Sequence, residues 1–160
     1  MTKDEALKRL AESRQALLQA IQGLSEQELT QSPVEGVWTI KDLVGHIASW
    51  DVTCLDPLRG CMDGALFQAE VLSDHLAWND VQSARKKDLP WDAVLREAEA
   101  VRQEMVAAAS RLSDEQLAQR ATAPWGDEGA VVEMLAGLAG HERMHVRTIR
   151  QWRDGRAPEE

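Results

Sequence analysis

The sequence predicts an all-α chain folded as a four-helix bundle, with an irregular stretch between the second and third long helices. Strand signals are nearly absent: there are no alternating Val/Ile/Thr runs, no Asn-Gly turn, no tyrosine and one phenylalanine. Apolar residues instead recur at spacings of three and four through four long segments. Capping residues and helix breakers bound those segments.

Leu7, Leu10, Leu17, Ile21 and Leu24 step at three, four and seven, which predicts helix one over about 3–22. Helix two has a complete start. Thr39 can cap it, Asp42 closes a capping box, and Trp38 can staple onto Leu43. Its stripe of Leu43, Ile47, Trp50, Cys54, Leu58 and Cys61 ends near Gly64. Residues 65–89 are less regular, and the pattern suggests two short helices around 68–77 and 79–87. Pro90 suits a first helical turn. Beyond it Val94, Ala98, Val101, Met105, Ala108 and Leu112 form the seam of helix three. Helix four is expected to start at the acidic pair Asp127-Glu128, run to about Trp152, and stop at Gly155 and Pro158.

Composition narrows the class. The 160 residues suffice for one domain spanning 1–160, and no apolar run approaches a membrane span. The N-terminal residues enter an amphipathic helix directly, without a signal-peptide core, so the expected location is cytoplasmic. A net charge of −9, with no basic stripe, argues against nucleic-acid binding. Cys54 and Cys61 lie seven apart on one helix, roughly 10 Å along its axis, and read as buried thiols rather than a disulfide.

One internal echo stands out. Leu24-Ser25-Glu26-Gln27-Glu28-Leu29 follows helix one, and Leu112-Ser113-Asp114-Glu115-Gln116-Leu117 follows helix three. Each precedes a loop with a tryptophan (Trp38, Trp125) and then a histidine-bearing helix. Two halves related by an approximate twofold would explain this; so would the common use of Leu-Ser-x-x-x-Leu to end a helix.

The chemistry points to histidine. Only four are present, and His141 and His145 sit one turn apart, so both imidazoles can face one ion. With His141 at zero and about 100° per residue, His145 falls near 40°, between Met134 and Trp152 near 20° and Leu138 near 60°. The pair therefore lies on the apolar stripe, where unsatisfied imidazoles are costly. His46 lies at the edge of helix two's stripe, and a twofold would bring it to the same place. Three imidazoles and an open position is the catalytic style of zinc site, although imidazole also suits nickel, iron and copper. The bland alternative is three packed, hydrogen-bonded core histidines. His75 reads as a surface residue.

His141-Glu142-Arg143-Met144-His145 also spells the zincin protease signature, but no third ligand and no strand follow it. Glu142-x-x-His145 matches half of a di-iron site, but the residues three before His46 and His75 are Leu43 and Leu72. Glu142 itself falls near 100°, inside the apolar arc, which suits a proton carrier beside the ion or a buried partner of an arginine. Gly137 and Gly140, with Ala136, suggest close approach of another backbone, as across a dimer interface. Trp38, Trp50 and Trp125 are placed to line a pocket or simply to pack.

The run Val37-Trp38-Thr39-Ile40-Lys41-Asp42-Leu43-Val44-Gly45-His46-Ile47-Ala48-Ser49-Trp50, with His141 and His145, resembles the motifs of DinB-like (YfiT-like) proteins. The resemblance covers nearly the whole chain except residues 65–89. It implies an up-down-down-up four-helix bundle, usually homodimeric, holding a divalent metal, often zinc or nickel, on His46, His141 and His145. Relatives implied by it include thiol-dependent transferases and a mycothiol-dependent isomerase. The expected function is therefore that of a metal-dependent hydrolase or thiol-dependent transferase acting on a small molecule. A low-molecular-weight thiol is an expected partner, and Glu142, from its place beside the ion, is a candidate catalytic residue. The competing expectation is a non-catalytic metal-binding or stress-response protein with the same bundle.

Overall fold

The computed structural model describes residues 1–156; the Pro158 stop expected for helix four lies outside them. Four long helices carry the fold: α1 (Lys3–Ile21), α3 (Ile40–Met62), α5 (Trp91–Arg111) and α7 (Val131–Asp154). Short helices α2 (Glu26–Thr30) and α6 (Asp114–Leu117) follow α1 and α5, and α4 (His75–Lys86) joins α3 to α5. Helix α1 packs mainly on α7, and α3 mainly on α5.

The caps form as the sequence implies. The Thr39 hydroxyl accepts the Asp42 N–H at 3.2 Å, and the Asp42 carboxylate accepts the Thr39 N–H at 2.9 Å. The echoed segments are matched short helices, each opened by a serine capping box, Ser25 with Glu28 and Ser113 with Gln116. Both cysteines are free and buried, and burial pushes the Cys54 thiol up to about 12.

Two expectations are corrected. Helix α7 begins at Val131 rather than Asp127, because Glu128–Ala130 is a strand, β2, paired antiparallel with β1 (Arg120–Thr122). The backbone of Glu128–Ala130 is committed to that ladder, and Gly126, at φ 98°, turns the hairpin. Strands of three residues are too short to show an alternating pattern. Between 65 and 89 one helix forms instead of two. The Phe67 N–H donates to Gln119 Oε1 at 3.1 Å and the Leu72 N–H to the Pro124 carbonyl at 2.8 Å. Those bonds hold the chain extended against the hairpin until Asp74 caps α4 by accepting the Ala77 N–H.

The apolar core falls into two clusters. One gathers Leu10, Leu58, Met105 and Leu135. The other gathers Leu17, Leu43, Val94 and Ile149. Several buried polar residues lie in the same helices, between these two sets in sequence: Ser13 and Arg14 on α1, Asp51 on α3, Arg102 on α5 and Glu142 on α7. Arg102 donates to Asp51 at 2.9 and 3.2 Å and to Glu142 at 2.7 Å. Arg14 donates to Glu142 at 2.7 Å and to the Ala98 carbonyl at 2.8 Å. Ser13 donates its hydroxyl to Glu142 at 2.5 Å.

Removing one partner of such a network strands the opposite charges out of water. Arg102→Met is expected to cost about 3–5 kcal/mol, measured as the fall in unfolding free energy in urea. Lys8→Met, which removes an exposed i,i+4 pair with Glu12, is expected to change stability by less than about 0.5 kcal/mol.

Candidate metal centre

Thr39 sets the register of α3, and His46 follows two turns later at its inner edge. His141 and His145 sit in the middle of α7, and Glu142 between them is tied to α1 and α5. That tie fixes the rotation of α7. The two histidines are thereby turned toward α3.

The three imidazoles converge through their Nε2 atoms. His141 Nε2 is 3.0 Å from His46 Nε2 and 3.0 Å from His145 Nε2. One ligand atom from each residue lies within 4.8 Å of the other two. Nitrogens around a tetrahedral ion at 2.0–2.1 Å are about 3.3 Å apart, so the spacing is close to that of a ligand set. Hydrogen bonding satisfies it only through one N–H of His141 shared between two lone pairs. A neutral ring nitrogen carries either one proton or one lone pair, yet His141 Nε2 faces two partners. A shared cation accounts for three nitrogens pointing at one spot. The donor set therefore fits a divalent ion that imidazole binds, and carries no thiolate or carboxylate.

Protonation states agree. Burial, reinforced by the neighbouring imidazoles, lowers His46 to about 3. Burial and His145 lower His141 to about 4. Burial also lowers His145, against the opposing pull of Glu35. All three are neutral near pH 7, the form that offers a lone pair.

His145 is the most enclosed, at 4% exposure. Its Nδ1 lies 3.3 Å from a Glu35 carboxylate oxygen, close enough for a hydrogen bond but off the required angle, and it has no other partner. A ligand histidine commonly directs its second nitrogen at a carboxylate. Glu35 reaches this place from a tight turn in which the Trp38 N–H donates to the Glu35 carbonyl at 2.9 Å and Gly36 adopts φ 58°. Sequence reasoning missed Glu35, because a loop carboxylate has no periodicity to mark it; the Glu-Gly turn ahead of Trp38 was the available signal.

His46 and His141 open onto a cavity of about 360 Å³. Trp50 and Trp125 also line it, whereas the Trp38 ring packs on His46 with centroids 4.8 Å apart. His75, expected at the surface, is half-buried and lines the same cavity. Glu142 does not line it. Its carboxylate is fully buried and takes up three donors, Ser13, Arg14 and Arg102. Burial raises its pKa, but the two arginines and Ser13 outweigh that and hold it below the ordinary value. Gly137 is approached not by another backbone, as expected, but by the Trp125 indole, whose edge would sit 3.4 Å from an added Cβ. Gly140 has nothing within 4 Å.

Comparison with known proteins places this arrangement. A curated relative from Oceanobacillus iheyensis, named "Putative metal-dependent hydrolase", is 27% identical over 148 residues, which cover 91% of this chain and 82% of the relative. Among solved structures, YfiT from Bacillus subtilis, described as a probable metal-dependent hydrolase with an unusual four-helix bundle topology, superposes with a TM-score of 0.73 at 19% identity over 97% of this chain and 89% of YfiT. The colibactin self-resistance protein ClbS, solved with double-stranded DNA, gives 0.80 at 15% identity over 98% of both chains. A mycothiol-dependent maleylpyruvate isomerase gives 0.78 at 14% identity over 93% of this chain, which spans only 61% of the isomerase. At these identities the three structures establish the shared bundle. The family profile of the DinB superfamily matches residues 9–149, and the chain belongs to that superfamily.

Proposed function

We propose that the protein is a metal-dependent enzyme acting on a small molecule, either a hydrolase or a thiol-dependent transferase. The observation that carries this is the convergence of three neutral imidazoles, two of which, His46 and His141, line an open cavity. A divalent ion held there, zinc or nickel in this reading, supplies Lewis acidity that lowers the pKa of a bound water or thiol. His46 and His141 hold it from the cavity side, and His145 from the enclosed side with Glu35 behind. Neither cysteine supplies the thiol, since burial raises both pKa values. A thiol would come from outside, as it does for the mycothiol-dependent relative.

Glu142 is assigned to position rather than proton transfer, because its carboxylate is occupied and lies outside the cavity. A homodimer in the cytoplasm completes the reading. Among the described residues, no helix is long and apolar enough to cross a membrane. The net charge of −9 keeps nucleic acid out of the proposal; ClbS, solved with DNA, makes a DNA-binding assay the control.

Three outcomes are expected. Metal-loaded protein screened against thiol-transfer and ester or amide hydrolysis substrates should show turnover that a chelator abolishes and added ion restores, with His46→Ala at least about 100-fold slower. Turnover indifferent to chelation would contradict the metal dependence, and none across the screen despite bound metal would favour a non-catalytic binder. Glu35→Gln should weaken zinc affinity by about 10–100-fold in a competition assay with a chromophoric chelator. The histidines also predict a pH dependence. Their folded values, about 3 for His46 and about 4 for His141, lie below the ordinary 6.5, so between those limits the unfolded chain binds more protons. Stability of metal-free protein should therefore be fully present above 6.5 and fall as pH drops toward 4, with a shallower fall in His141→Gln. Urea midpoints at pH 7.5 and 5 read this directly.

A further inference from the structure

The cavity beside the histidines has walls that select a ligand. Trp50 comes from α3, one turn past His46, and its indole N–H donates to Asn79 Oδ1 of α4 at 3.1 Å. That bond and the Trp78 ring, centroids 4.8 Å away, hold the Trp50 plane in place. Trp125 comes from the β1–β2 turn, against the Gly137 backbone one turn before His141. The two indoles stand 6.3 Å apart at 63° and form a corner. The His75 ring meets Trp50 edge-on at 5.6 Å, and Leu138 closes another side.

A flat ring laid in such a corner can stack on one indole and meet the edge of the other, the two arrangements aromatic pairs prefer. A cavity of about 360 Å³ is at the small end of ligand sites. Among the described residues no lysine or arginine lines it, so none of them neutralises a phosphate or a second carboxylate there. The polar side-chain groups of its described lining, besides the two candidate ligand histidines, are His75, the Asn79 amide and the indole N–H groups of Trp50 and Trp125.

We infer that the substrate is a small planar aromatic or conjugated compound, uncharged or singly charged, whose ring lies in the Trp50–Trp125 corner while an oxygen, nitrogen or sulfur head reaches the ion between His46 and His141. This deepens the metal-dependent reading above and rests on it. Residues 65–89 thereby acquire a role, because α4 brings His75 and Asn79 to the cavity and locks Trp50.

Cobalt-loaded protein titrated with imidazole, 4-phenylimidazole and 4-cyclohexylimidazole, followed in the visible cobalt bands, tests the inference. 4-Phenylimidazole should bind at least about tenfold tighter than imidazole and tighter than the cyclohexyl compound. In Trp125→Leu that preference should shrink to within about threefold while the cobalt bands persist. The same three probes titrated into metal-free protein, with the indole N–H signals of Trp50 and Trp125 followed by NMR, read the corner alone. Equal affinities of the three compounds for the cobalt protein would overturn the aromatic assignment and leave the metal reading intact. Indole shifts specific to the phenyl compound, with no cobalt response to any probe, would sink the metal reading and keep the corner as an aromatic site.

Discussion

Four charges from the four long helices meet inside this bundle: Arg14, Asp51, Arg102 and Glu142. In a low-dielectric interior they are tolerable only as a set, since each ion alone would cost several kcal/mol to desolvate, of the order of 3–5 kcal/mol when a partner is lost. These four balance, two positive and two negative, and the half-buried Glu99 adds a further bond to Arg14 at 2.9 Å. It also has a geometric consequence. Glu142 sits between His141 and His145, and Asp51 sits next to Trp50 and five residues past His46. Anchoring those two carboxylates to Arg102 fixes the rotation and height of α7 and α3 together. The three histidines are brought together by that packing, so their convergence follows from how the charges are paired.

The same logic separates the roles of the acidic residues. Glu142 is adjacent in sequence to a ligand and looks catalytic in the His-Glu-x-x-His spelling. One residue on a helix is about 100°, however, enough to turn its carboxylate toward α1 and α5. Glu35 is remote in sequence and arrives on a turn, yet it is the carboxylate that stands behind His145. Tryptophans show a similar division. Trp38 packs on His46, whereas Trp50 and Trp125 leave space between them and the histidines.

Much of this was legible beforehand, for definable reasons. Long amphipathic helices announce themselves by period and caps, so α1, α3 and α5 fall close to their expected bounds, as does the end of α7. The pair His141 and His145 is readable because four residues on a helix return to one face. His46 needed the resemblance, or the echo between the halves, since nothing local says which helix it meets. What escaped were features that no apolar period marks. The β1–β2 ladder displaces the start of α7, and the Gln119 and Pro124 hydrogen bonds hold residues 67 and 72 extended. His75 joins the cavity only because that extended stretch delivers α4 across α3. The hydrogen-bonding partners of residues 67 and 72 lie 52 residues away, beyond any local pattern.

The central claim is that His46, His141 and His145 together hold one divalent ion. Zinc titrated into metal-free protein by calorimetry, wild type beside His141→Ala, tests it most directly. One ion per chain in the wild type, with binding lost or reduced by orders of magnitude in the variant, is the predicted result. No stoichiometric binding of zinc or nickel by the wild type, or equal binding by both proteins, would contradict it.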